Sequence, residues 1–236
     1  MTTEPTTVDG IHRRTVLKRS AIATGALAAG VPLTASGEEH ENDDDDRETS
    51  EEIIRQSADV LGQGPERDVV AEDGASIWRT ANEILVELTM PTPEPGSYTY
   101  PSEPPEQEGE WWTDEVGDVE AFTLWVFTFN DPDECEGDEC DGDDLGDPAG
   151  GGAFGVTGFV SEGGDLTLNG VVSTETEPFV MDGDPLGVPL DRPREAEVHL
   201  AVAPHGAFDP DMMPEILQTP ASPGDVWWIA IFDPPH

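Results

Sequence analysis

The sequence predicts a mainly β protein: one antiparallel β-sandwich or jelly-roll-like domain with one or two short helices. Short segments rich in Val, Ile, Leu, Phe and Trp recur between Gly- and Pro-rich turns, the pattern of an all-β body. The run from Val119 to Asn130 is apolar on both of its alternating faces, as in a central strand covered on each side. The third observation concerns charge. The 236 residues carry 52 acidic and 10 basic side chains, a formal −42. Acidic residues interrupt the apolar segments, which keep six Trp and eight Phe. The chain therefore has the means to offset its conformational entropy and fold.

In chain order, residues 1–35 read as an export signal. His12-Arg13-Arg14-Thr15-Val16-Leu17-Lys18 resembles the twin-arginine motif, with Arg13 and Arg14 as its pair. Ala21 to Ala35 supplies a Gly/Ala-rich apolar region too short and too poor in Leu and Ile for a spanning helix. The motif implies a twin-arginine translocase as partner, folding before export, and a secreted or cell-surface protein. Residues 36–52 are a run of like charges that stays extended and solvated, an acidic linker. Residues 53–236 form the β domain, and the mature chain holds no transmembrane segment.

Within that domain Ile53, Ile54, Ser57, Ala58 and Leu61 fall at helical spacing, so a short helix is expected over Glu51–Leu61. Strands follow at Asp68–Glu72, Ser76–Thr80 and Glu83–Met90, with a brief edge strand at Tyr98–Tyr100. Trp111 and Trp112 close a Pro/Glu-rich loop. In the next strand Phe122, Leu124, Val126 and Thr128 face one way, and Ala121, Thr123, Trp125, Phe127 and Phe129 the other. Further strands are expected at Ala153–Ser161, Asp165–Val172, Pro178–Met181, Glu197–Ala203 and Val226–Phe232. Glu162-Gly163-Gly164 reads as a hairpin turn, and Asp209–Leu217 as helical turns capped by aspartate.

The two cysteines, Cys135 and Cys140, lie in an acidic loop, and export places them where a disulfide persists. Such a bridge holds nearby carboxylates on a fixed scaffold. Asp133, Asp138, Asp141, Asp143 and Asp144 are thus candidate Ca²⁺ ligands, against a plain acidic surface as the alternative; the spacing is not that of an EF-hand. His199 and His205 are six residues apart, an even step that points both to one face if the strand runs through Pro204. They are candidate ligands for Cu or Zn, the alternative being core histidines. No nucleophile elbow, phosphate loop, zincin helix or dinucleotide fingerprint occurs, so the reading leans away from an enzyme.

Near-absence of lysine (Lys18 alone) with abundant Asp and Glu resembles proteins of extremely halophilic archaea. The same charge argues against nucleic acid and anionic lipid as partners. The run Ala196-Glu197-Val198-His199-Leu200-Ala201-Val202-Ala203-Pro204-His205-Gly206, preceded by Pro185-Leu186-Gly187, resembles CHRD-type domains, secreted β-sandwich modules. That resemblance implies a fold and a location rather than a reaction. The function expected is an exported halophilic binding module without catalysis, outside the cell or at its surface. The alternative is a metal-dependent extracellular enzyme using His199 and His205.

Overall fold

The computed structural model describes residues 53–62, 67–95, 97, 117–137, 139–181, 183–212 and 228–235. The export signal, the acidic linker, Tyr98–Tyr100, Trp111–Trp112 and the Met213–Leu217 part of the expected helical turns lie outside the described residues. The body is mainly β and antiparallel, as expected. Its strands are β1 (Ile54–Leu61), β2 (Val69–Arg79), β3 (Glu83–Pro91), β4 (Glu120–Phe129), β5 (Gly151–Ser161), β6 (Asp165–Ser173), β7 (Val180–Met181), β8 (Asp184–Pro185), β9 (Glu197–Ala207) and β10 (Trp228–Phe232). Helical structure among the described residues is confined to single 3₁₀ turns at Pro132–Glu134, Gly142–Asp144 and Pro210–Met212. The last is capped as expected, Asp209 Oδ1 accepting from the Asp211 N–H at 2.8 Å. None of these is long and apolar enough to cross a membrane.

Eight strands form one sheet in the order β5-β4-β9-β10-β1-β2-β3-β6, and β7 pairs with β8 in a small ribbon. The order contains its own geometry. Strands β5 and β6 stand at opposite ends of the sheet, yet only Glu162-Gly163-Gly164 separates them in the chain. Gly163 and Gly164 both take positive φ in this turn. So short a link forces the sheet to curl until its two ends meet, nearly a barrel. Thr92, just past β3, fastens the turn: its N–H donates to Gly164 O at 2.7 Å and its hydroxyl meets Ser161 Oγ at 2.7 Å.

Every strand of the large sheet sends side chains to one core, including Val60, Ile77, Leu88, Phe122, Leu124, Leu168, Val198, Leu200 and Phe232. Val156 of β5 packs against this core, and a Cβ built on Gly170 of β6 would lie 2.7 Å from Val156 Cβ. Gly170 therefore makes room for the far edge of the sheet. Gly170→Ala is expected to destabilise the protein by about 1–3 kcal/mol through overpacking at this seam, read from thermal unfolding. An unchanged melting temperature would show that the two edges do not meet there.

Three expectations need correction. The helix over Glu51–Leu61 is instead strand β1, in which Ile54, Gln56, Ala58 and Val60 are more buried than their neighbours. The segments Asp68–Glu72 and Ser76–Thr80 form one strand, β2, kinked rather than broken at Asp73 and Gly74. Asp73 takes φ +48°, and the register with β1 shifts nearby. Finally, β9 does not stop at Ala203. Pro204 pairs with Phe122 and the register then slips at His205 and Gly206, where Gly206 has φ +80°. A bulge is where a strand tolerates a proline.

One end of this body is plugged by Arg79, which is fully buried. Its guanidinium donates to Gln56 Oε1 (2.6 Å), Pro193 O (2.9 Å) and Ala196 O (2.7 Å), with Phe232 O and Asp233 O at 3.5 Å. Those contacts tie β1, β2 and β10 to the segment leading into β9. The candidate site is built at this end.

Candidate functional site

Beyond Phe129 the chain leaves β4 through Asn130, whose buried amide uses both of its ends. Asn130 Nδ2 donates to Gly150 O (2.9 Å) and Pro189 O (3.1 Å), and Oδ1 accepts from the N–H groups of Asp191 (2.8 Å) and Arg192 (3.2 Å). Four bonds from one side chain fix two loops against each other. Arg192 is thereby placed over Asp131, with which it forms an ion pair, and it also meets Glu195 at 3.4 Å. The hydrogen bond to Asp131 is the main cause that raises the Arg192 guanidinium above its ordinary pKa.

The expected disulfide joins Cys135 to Cys140. Around it the acidic loop is organised by its own carboxylates. Asp144 is buried, with Oδ1 accepting from the Glu136 N–H (3.0 Å) and Oδ2 from the Asp141 N–H (2.9 Å); Asp141 Oδ1 accepts from the Asp143 N–H (2.8 Å). Aspartate side chains in turns satisfy nearby backbone donors, and that is what they do here. Glu139 takes both oxygens to Arg67 at 2.9 Å, linking the loop to the connection between β1 and β2. Replacing both cysteines with serine is expected to cost about 2 kcal/mol on the chain-entropy account of so short a loop. Melting with and without reductant measures it; no difference would mean that the carboxylates alone hold the loop.

The loop closes over the start of β9. Glu197 is 7% exposed and His199 4%. Glu197 Oε1 accepts from His199 Nε2 at 2.7 Å and from the Cys140 N–H at 3.2 Å. A carboxylate receiving a backbone N–H has only lone pairs to offer, so the His199 proton sits on Nε2. The imidazole lies 5.2 Å from the Phe129 ring. Farther along the same strand His205 is fully buried. Thr123 Oγ1 accepts from Trp125 Nε1 at 3.0 Å and shares a hydrogen bond with His205 Nε2 at 2.8 Å. Phe179 covers Trp125 edge-on at 5.2 Å.

Both histidines do lie on one face, but six strand residues put them about 20 Å apart. The structure does not bring them to a common metal centre, and each has its Nε2 engaged with protein. Nor does it gather the four candidate calcium ligands that lie among the described residues. Asp133 faces a cleft, Asp141 and Asp144 hold the loop, Asp143 is exposed, and Asp138 is outside the described residues. Among the described residues, one cluster of three or more His, Cys, Asp or Glu has its ligand atoms within 4.8 Å: Cys135, Cys140 and Asp144.

What the structure does assemble is a cleft of about 630 Å³ at the plugged end, lined by Asp131, Asp133, Glu134, Glu195, Glu197 and Asp233 around Arg192. Sequence reasoning missed Asn130, Arg192 and Glu197 as parts of one site. The signal for Glu197 was present: two residues before His199 on a strand, it had to share that face. Compared with known proteins, the chain matches no family model, no curated protein and no solved structure.

Proposed function

We propose that this chain is an exported, salt-adapted binding module without catalysis, acting outside the cell or at its surface, and that the cleft beside the disulfide loop receives its ligand. The observation carrying this reading is the way the cleft wall is held. Glu197 is fixed by two N–H donors, Asp131 by Arg192, and the loops around them by the four bonds of Asn130. Polar groups locked before a ligand arrives lower the ordering cost of binding. They sit on the rim of a rigid β body, where loops commonly carry recognition. The acidic lining favours ligands with positive charge or several hydrogen-bond donors. The disulfide, the twin-arginine-like motif and the resemblance to secreted β modules all support an extracellular site of action.

Two measurements test the proposal. The full chain, expressed in a halophilic host, is expected in the medium or on the cell surface, and Arg13→Lys with Arg14→Lys is expected to hold it in the cytoplasm. Retention of the unaltered chain inside the cell would remove the export reading. For the cleft, spermidine, arginine methyl ester and glucosamine serve as probes in calorimetry at constant molar KCl. Binding of at least one, weakened in Glu195→Gln and Asp133→Asn, is expected. Failure of all three to bind, or equal binding by the variants, would overturn the assignment of the cleft.

A further inference from the structure

We propose that reducing the Cys135–Cys140 bridge opens a site for a thiophilic divalent cation of the zinc class, with Asp144 as the third protein ligand. The ligand atoms of these three residues lie within 4.8 Å of one another. Cys140 is 2% exposed and Asp144 6%, so the carboxylate and one sulfur are already withdrawn from solvent. Ligands around a tetrahedral Zn²⁺ stand roughly 3.5–4 Å apart, from bonds of about 2.3 Å to sulfur and 2.0–2.2 Å to oxygen. Small side-chain rotations therefore suffice: the freed sulfurs spread and the Asp144 oxygen closes in.

The scaffold around the bridge has supports of its own besides it. Asp144 is aimed by the N–H groups of Glu136 and Asp141, and each of its oxygens keeps a further lone pair for a metal. Cys140 is anchored through its N–H to Glu197, and the 3₁₀ turns Pro132–Glu134 and Gly142–Asp144 flank the pair. Opening the bridge thus leaves three donors facing one point, with a fourth position for water. Two thiolates select zinc, cadmium or cobalt and disfavour calcium and magnesium, which want oxygen alone. The chemistry balances. A dithiol gives two electrons and two protons to the disulfide, yielding two thiols and a cyclic disulfide of the reductant. The cation then displaces two thiol protons to solvent and binds two thiolates and one carboxylate. Transfer of two electrons from the thiolate pair to an external disulfide, with two protons from solvent, re-forms the bridge, yields two thiols from the oxidant and expels the metal, so the loop is held by a covalent bridge in one redox state and by a metal in the other. The inference rests on the loop alone and not on what the cleft binds.

The test uses the full chain in molar KCl, reduced without oxygen by a phosphine that is then removed. Co²⁺ is expected to bind at one equivalent, with thiolate-to-cobalt charge-transfer and tetrahedral d–d absorption that Zn²⁺ abolishes. The oxidised chain is expected to show neither. Asp144→Asn should weaken binding by roughly tenfold or more, and Asp144→Glu, which keeps the carboxylate, should restore part of it. Reduced chain that binds no more Co²⁺ than oxidised chain overturns the proposal. Equal affinity in the Asn variant would remove Asp144 from the site. Because the Asn change can also loosen the loop, alkylation of the reduced wild type gives an independent reading. One equivalent of Zn²⁺ should protect both cysteines, and unprotected thiols would refute the site.

Discussion

Replacing Arg79 with methionine is expected to destabilise the folded chain by about 3 kcal/mol or more. The cause is not the loss of an ion pair. Arg79 is fully buried, and its partners are oxygens without formal charge: the amide of Gln56 and the carbonyls of Pro193, Ala196, Phe232 and Asp233. Methionine fills much of the volume but leaves those acceptors facing apolar surface, each at its own desolvation cost. Lysine brings three donors from one nitrogen and cannot span the same set, so Arg79→Lys should recover less than half of the loss. At roughly 2–4 °C per kcal/mol for a chain of this size, the methionine variant should melt about 6–12 °C lower. A change under about 1 kcal/mol at fixed salt would show that the plug is not structural.

The pH behaviour of this group is specific. Burial pushes the Arg79 guanidinium down from its ordinary value to about 10, so it stays charged at neutral pH. Since the folded value lies below the unfolded one, the unfolded chain holds the extra proton only between pH of about 10 and the ordinary guanidinium value. Burial of the charge therefore opposes folding below pH 10, and that opposition fades above it. The difference between wild type and Arg79→Met should be flat across neutral pH. A slope there would assign the effect to another group.

The second large effect is that of salt. With a formal −42, the carboxylates repel one another over a Debye length of about 10 Å at 0.1 M salt, and over about 3 Å at 1 M. The melting temperature is expected to rise by roughly 15 °C between dilute and molar KCl, a gain of several kcal/mol at the same conversion. A melting temperature that ignores KCl would sink the salt-adapted reading, whatever the cleft binds.

The sequence showed the strands whose apolar pattern is uninterrupted. The run through Phe122–Phe129 is a central strand flanked by β5 and β9, with Phe122, Leu124 and Val126 in the core and Trp125 on the opposite face, as its alternation implied. Strand β1 was misread because Gln56 sits at an inward position, where a strand pattern calls for an apolar residue. Its reason for being there is Arg79, a long-range partner that no local periodicity reveals. Asp73-Gly74 carries the chemistry of a turn, yet pairing with β1 before and after it keeps β2 continuous. The disulfide was legible from composition and compartment. The cleft was not, because its members come from three separate stretches of chain, 130–134, 192–197 and 233–234, and a single buried amide, Asn130, ties the first two together.

The Gly163–Gly164 turn that joins the two ends of the sheet has a consequence for solubility. An acidic coat keeps molecules apart in dilute solution by mutual repulsion, but in brine that repulsion is screened away. Exposed strand edges would then be free to pair between molecules and precipitate the protein. Here β5 turns the first half of its edge to Phe179, Leu186 and Val188 through backbone bonds, and in its second half Val156 packs beside Gly170 of β6. Protection from intermolecular sheet growth is thus built into the chain path, where no concentration of salt can switch it off.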